Sequence, residues 1–99
     1  MLNIAKDLKG KELTIGLSGR LDMTSAPQLD EELKSALEGV EKLTFEIKDL
    51  EYISSAGLRV LLSAQKTMNK QGSMVIKNAS ETVMEIFEVT GFVDILSIE

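Results

Sequence analysis

The chain has 99 residues, 43% hydrophobic and 27% charged, which suits one domain spanning 1–99 with a single modest core. A net charge of −5 argues against non-specific nucleic-acid binding, which depends on neutralising phosphates with Lys and Arg. With no His and no Cys, the usual general base, thiol nucleophile and transition-metal ligand sets are missing, so no metal site is expected and an enzyme is disfavoured.

No apolar run is long enough to cross a bilayer, and the start of the chain lacks the charged, apolar and small-residue order of an export signal. A cytoplasmic protein is therefore the expectation. Gly-Lys-Ser/Thr phosphate loops and dinucleotide fingerprints are also missing, and no nucleotide or other cofactor is expected.

Leu2, Ile4 and Leu8 open an extended segment that ends in the turn signal Lys9-Gly10-Lys11. Leu13, Ile15 and Leu17 then alternate with Thr14, Gly16 and Ser18, so the two segments read as a hairpin. Arg20 to Ser25 reads as a loop. In it, Asp22 could accept from backbone N–H groups, bond Ser55 or touch a partner, and a turn aspartate bonding its own backbone is the simplest of these. Thr24 or Ser25 is expected to cap a helix with Pro27 in its first turn. Leu29, Leu33, Ala36 and Leu37 form its buried stripe, Asp30, Glu31 and Glu32 lie near its start, and Gly39 ends it.

Leu43, Phe45 and Ile47 alternate with Thr44, Glu46 and Lys48 as a half-buried strand. Leu58, Leu61, Leu62, Gln65 and Met68 then recur at helical spacing to about Asn69, and Lys70-Gln71-Gly72 reads as a stop with glycine in a left-handed cap. A helix between two strands implies a right-handed crossover and a parallel pair. Met74, Val75 and Ile76 make a short buried strand. Ser80 is expected to cap a helix with Val83, Ile86 and Phe87 inward, ending at Thr90-Gly91. Phe92 to Ile98 reads as a helical turn followed by a short extended end. The scattered Met residues suit core gaps, except Met23, which lies in the loop beside Asp22.

Between the third strand and the second long helix stand Ser54 and Ser55. If Ser54 is the N-cap, Ser55 is the first helical residue and its hydroxyl stands near the positive end of the helix dipole. Gly57 costs a helix about 1 kcal/mol relative to alanine, which suggests that another backbone or a partner comes close to this turn.

Ile53-Ser54-Ser55-Ala56-Gly57-Leu58, with Gly19-Arg20-Leu21-Asp22 upstream, resembles the STAS domain of bacterial anti-sigma factor antagonists over essentially the whole chain. The family's switch motif has an aspartate, then a serine phosphorylated by a partner kinase, and then Ser/Thr/Ala-Gly-Leu. Here Ser54 stands at the aspartate position and Ser55 matches the phosphorylated serine. The resemblance implies an α/β fold, a STAS-like mixed sheet of four to five strands with helices mainly on one face. It also implies a partner-binding surface of Asp22, Met23, Thr24, Ser54, Ser55, Ala56, Gly57, Leu58 and Arg59. The implied partner is an anti-sigma factor serine kinase of the histidine-kinase-like ATPase class, which holds the nucleotide, and the free chain is expected to be monomeric. Two alternatives belong to other classes. One is a non-switching STAS subunit of a lipid transporter or larger signalling assembly. The other is a small Ser55–Lys hydrolase, disfavoured because the motif holds no lysine.

Overall fold

Alternation of apolar side chains builds the central pair of strands. In β2 (Glu12–Leu21) the side chains of Leu13, Ile15 and Leu17 are buried, and in β3 (Lys42–Ile53) those of Leu43, Phe45 and Ile47. The computed structural model describes residues 2–99. Met1 lies outside the described residues. β1 (Leu2–Lys9) pairs antiparallel with β2, with Leu8 opposite Leu13, as the Lys9–Lys11 turn signal leads one to expect. β2 runs parallel to β3, and β3 runs parallel to β4 (Ser73–Lys77), giving a four-stranded mixed sheet in the order β1-β2-β3-β4. A single parallel bridge from Ile98 to Ile76 adds the trace of a fifth strand.

The helices α1 (Ala26–Ala36), α2 (Ser55–Gln71) and α3 (Glu81–Thr90) supply the other side of the core. Leu29 and Leu33 of α1, Leu58, Leu61 and Met68 of α2, and Val83 and Phe87 of α3 join the buried strand residues in one cluster. Phe45 and Phe87 are its largest fully buried side chains. Burial of each such side chain stabilises the fold by about 1.5–3 kcal/mol, so this cluster is what chiefly holds the fold together. The opposite face of the sheet alternates out of register with it and carries Thr14, Gly16, Ser18, Thr44 and Glu46, none of them buried. This polar face leaves the helices on the other side, as expected. After α3, Phe92–Asp94 forms the expected helical turn, a 3₁₀ helix, before the extended end.

Three boundaries differ from the sequence reading. β3 continues six residues beyond Ile47 and β2 continues to Leu21, so Arg20 and Leu21 are strand rather than loop. The alternation breaks at Lys48 and Asp49, both exposed, because β3 holds extra residues against β2: the register shifts between Gly16 and Ser18 and again between Gly19 and Arg20. These irregularities disguised a continuous strand. At the end of α2, Gly72 is not in a left-handed cap. Its φ is 171°, an ordinary extended value. A Cβ at Gly72 would stand 1.8 Å from the Glu41 carbonyl oxygen, so the position demands glycine through close approach of two backbones. Gly91, with φ 80°, is the left-handed cap that ends α3. The acidic residues Asp30, Glu31 and Glu32 fall beyond the first turn of α1, which holds no acid.

Candidate functional site

Leu21 at the end of β2 is paired with Ile53 at the end of β3, and Arg20 with Tyr52. The next backbone link joins the two segments again, because Ser54 N–H donates to the Leu21 carbonyl at 2.8 Å. The turn that carries Asp22, Met23 and Thr24 and the turn that carries Ser54 and Ser55 therefore leave the sheet side by side. Residues about thirty apart in sequence share one end of the molecule.

At the start of α2, Ser54 is extended, with φ −94° and ψ 175°, and its Oγ accepts the Gly57 N–H at 3.3 Å. Its carbonyl accepts from Leu58 N–H at 2.9 Å. Ser54 is the N-cap that the sequence suggests. Ser55 opens the helix and is exposed, and its hydroxyl makes no hydrogen bond to any described residue. Ala56 is half-buried and Arg59 exposed.

Gly57 and Leu58 are buried. The sequence leaves open whether a partner or another part of the chain crowds Gly57; the crowding comes from within. A Cβ there would lie 2.7 Å from Leu21 Cγ and 2.9 Å from Ile53 Cγ1. Gly57 lets α2 settle on the paired ends of β2 and β3. Gly57 and Leu58 thus shape the turn from beneath, while Ser55 and Arg59 are exposed on α2 and Met23, in the adjoining Asp22 turn, is 77% exposed.

The Asp22 turn is tightly self-bonded. Asp22 Oδ1 accepts from Thr24 Oγ1 at 2.7 Å, Thr24 N–H at 3.0 Å and Ser25 N–H at 3.1 Å. The Thr24 hydroxyl lowers the Asp22 pKa most; partial desolvation opposes it, and the Ser25 and Thr24 N–H groups reinforce it. The net result is a pKa of about 2. Of the roles the sequence leaves open, the turn aspartate is the one seen here. Neither Thr24 nor Ser25 caps α1 in the usual way: Ser25 lies in helical φ/ψ and its side chain makes no cap bond. The buried Ser25 Oγ instead donates to the Arg20 carbonyl at 2.8 Å and accepts from Asp22 N–H at 2.9 Å, which closes the turn on itself. Sequence reasoning missed this closure. It also missed the Arg20–Tyr52 pair, in which the guanidinium sits 4.7 Å from the ring centroid and 3.9 Å from Asp22 Oδ2. Only the register of β2 against β3 brings those residues together, and no local pattern signals it.

Among the described residues, no group of three or more acidic side chains is placed to hold a metal ion, and no helix is long and apolar enough to cross a membrane.

Comparison with known proteins adds what geometry alone lacks. The anti-sigma-B factor antagonist of Bacillus subtilis is 36% identical over 100 residues, spanning 98% of this chain and 92% of that protein. The unphosphorylated form of the anti-sigma factor antagonist SpoIIAA superposes with a TM-score of 0.84 at 19% identity, covering 98% of this chain and 88% of that one. The phosphorylated form of the Bacillus cell fate determinant SpoIIAA superposes with a TM-score of 0.76 at 18% identity, covering 98% and 91%. Both structures share the fold. A family profile described as "Mlab, STAS domain" matches residues 4–97, a span that takes in the helices, both joined turns and all but the first two residues of the four-stranded sheet, and on that match the chain belongs to the STAS domain family.

Proposed function

We propose that this chain is an anti-sigma factor antagonist, switched off by phosphorylation of Ser55. The observation that carries the reading is the exposed Ser55 hydroxyl at the first position of α2, free of hydrogen bonds to the described residues while Ser54 does the capping. The name of the B. subtilis relative supports the antagonist role, and the existence of SpoIIAA in phosphorylated and unphosphorylated forms supports a switch in this fold. The partner is an anti-sigma factor serine kinase that brings its own ATP. Ser55 Oγ attacks the γ-phosphorus, the bond to ADP breaks, and the serine proton passes to a base on the partner. The partner-binding face comprises the Asp22–Thr24 turn with Ser54, Ser55 and Arg59, shaped by Ala56, Gly57 and Leu58, and the protein works in the cytoplasm as a monomer when free.

Two effects compete once phosphate is attached. It adds about −1.5 to −2 charges, and the helix dipole favours it by about 0.3–1 kcal/mol, so the fold tolerates it. Burying the same dianion against a partner without matched cations costs several kcal/mol, so the complex does not. The burial cost exceeds the dipole's gain: phosphorylation releases the partner and leaves the domain folded.

Incubation with the cognate kinase and ATP, read by intact mass, tests this. Wild type should gain one phosphate and lose partner affinity, and Ser55→Ala should bind but gain none. A second reading, a non-switching STAS subunit of a larger assembly, is favoured by Ser54 standing where the switch motif has aspartate. Absence of any phosphate gain, or its appearance on Ser54, would move that reading ahead.

A further inference from the structure

We propose that Arg59 is an intramolecular clamp for phosphate on Ser55, so that phosphorylation also withdraws Arg59 from the partner-binding face. The inference rests on Ser55 being the modified residue. Residues four apart on a helix are neighbours, with Cβ atoms about 5–6 Å apart. Helical side chains lean toward the N-terminus, which carries Arg59 back over the turn that begins at Ser55. Both residues are exposed, so they share the solvent stripe of α2.

Arg59 is also unengaged. Among the described residues seven ion pairs are formed, and none uses it. Within the first two turns, Ser55–Leu62, it is the single charged residue, with no acid to compete for it. The other arginine near these turns, Arg20, lies against Tyr52 and 3.9 Å from Asp22. A guanidinium presents paired N–H donors that match two phosphate oxygens, which a lysine ammonium cannot do with the same geometry. In the unphosphorylated state Arg59 is available to an acidic group of the partner. In the phosphorylated state it is held in cis. The switch then acts twice, by adding a dianion and by removing a cation from the same surface.

The test installs phosphoserine at position 55 during synthesis, so that it does not depend on any kinase. A ³¹P NMR pH titration of the phosphate compares Arg59 with Arg59→Gln and Arg59→Lys. The clamp predicts that the second phosphate pKa is lower by about 0.2–0.4 units with Arg59 than with Arg59→Gln, with Arg59→Lys between them. The other charges of the adjoining segments, Arg20, Asp22 and Glu51, are the same in every variant. Phosphorylation should also raise the melting midpoint more in the Arg59 protein than in Arg59→Gln, and the difference should fade in high salt. Equal phosphate pKa values in Arg59 and Arg59→Gln overturn the clamp, whatever the kinase does. Failure of the kinase to modify Ser55 sinks the switch and leaves the pKa result standing.

Discussion

Replacing Gly57 with alanine sets two opposing effects against each other. In an exposed helix interior the change gains about 1 kcal/mol. Here the added methyl would stand 2.7 Å from Leu21 Cγ, 2.9 Å from Ile53 Cγ1 and 3.1 Å from Leu21 Cδ2. Neither neighbour can swing aside, because Leu21 is 0% and Ile53 1% exposed, at the paired ends of β2 and β3. Overpacking of this kind costs about 1–3 kcal/mol, and separation of α2 from the sheet also strains the Ser54 N–H to Leu21 bond. Set against the helix gain, this leaves a net loss of up to about 2 kcal/mol, or a fall of up to about 15 °C in the melting midpoint of a domain this size. Urea denaturation and thermal melts followed by circular dichroism measure it. Stability at or above wild type would show that helix propensity wins, and that α2 does not bear on Leu21 and Ile53 as described. Gly57→Leu, by the same reasoning, disrupts folding itself and cannot serve as a clean probe of partner binding.

The remaining expectations concern the caps, the second close approach and pH. Ser54→Ala should lose about 1 kcal/mol in chemical denaturation, whereas Ser54→Asp keeps an acceptor for Gly57 N–H and should match or exceed wild type. Ser55→Asp should stay within about 1 kcal/mol of wild type, since an exposed acid in the first turn suits the dipole; a large loss would contradict the placement of Ser55. Gly72→Ala should cost about 3 kcal/mol, because the atom it meets is a backbone carbonyl whose bond to Ser73 N–H helps start β4. Asp22 has its folded pKa lowered to about 2, so its stabilising contribution is present above the ordinary carboxylate pKa and is lost as pH falls toward 2. Melting curves of wild type and Asp22→Ala should differ at neutral pH and converge through that window; a constant gap would rule out the ionised cap.

Periodicity carried most of the architecture. The stripes Leu13-Ile15-Leu17 and Leu43-Phe45-Ile47 named the two inner strands, and serines at positions 54 and 80 marked two helix starts. Legibility failed where long-range pairing overrides local pattern. The strand ends at Leu21 and Ile53 were hidden because each depends on the other's register, not on alternation. The glycines exposed a second limit. The sequence suggests a close approach at Gly57 and a left-handed cap at Gly72, but only the fold identifies what a Cβ would strike: core leucine and isoleucine in one case, a carbonyl in the other. Asp22 was legible as a turn residue, and its full set of acceptor bonds was not, since these require Thr24 and Ser25 to fold back together.

The bridge at Ile98 has a consequence for how copies of this chain meet one another. A four-stranded sheet leaves two rows of unpaired backbone groups, each a template for a strand from another molecule. On the outer strand β1 the deterrent is charge, with Lys6, Asp7 and Lys9 exposed along it. On β4 the deterrent is covering: Ile76 N–H donates to the Ser97 carbonyl and Glu99 N–H donates back to Ile76, each at 2.8 Å. Ser97, Ile98 and Glu99 therefore act as a cover strip for the edge of the sheet where β4 buries Met74 and Ile76. Removing them would open that edge to self-pairing while the joined turns at the ends of β2 and β3 stay intact.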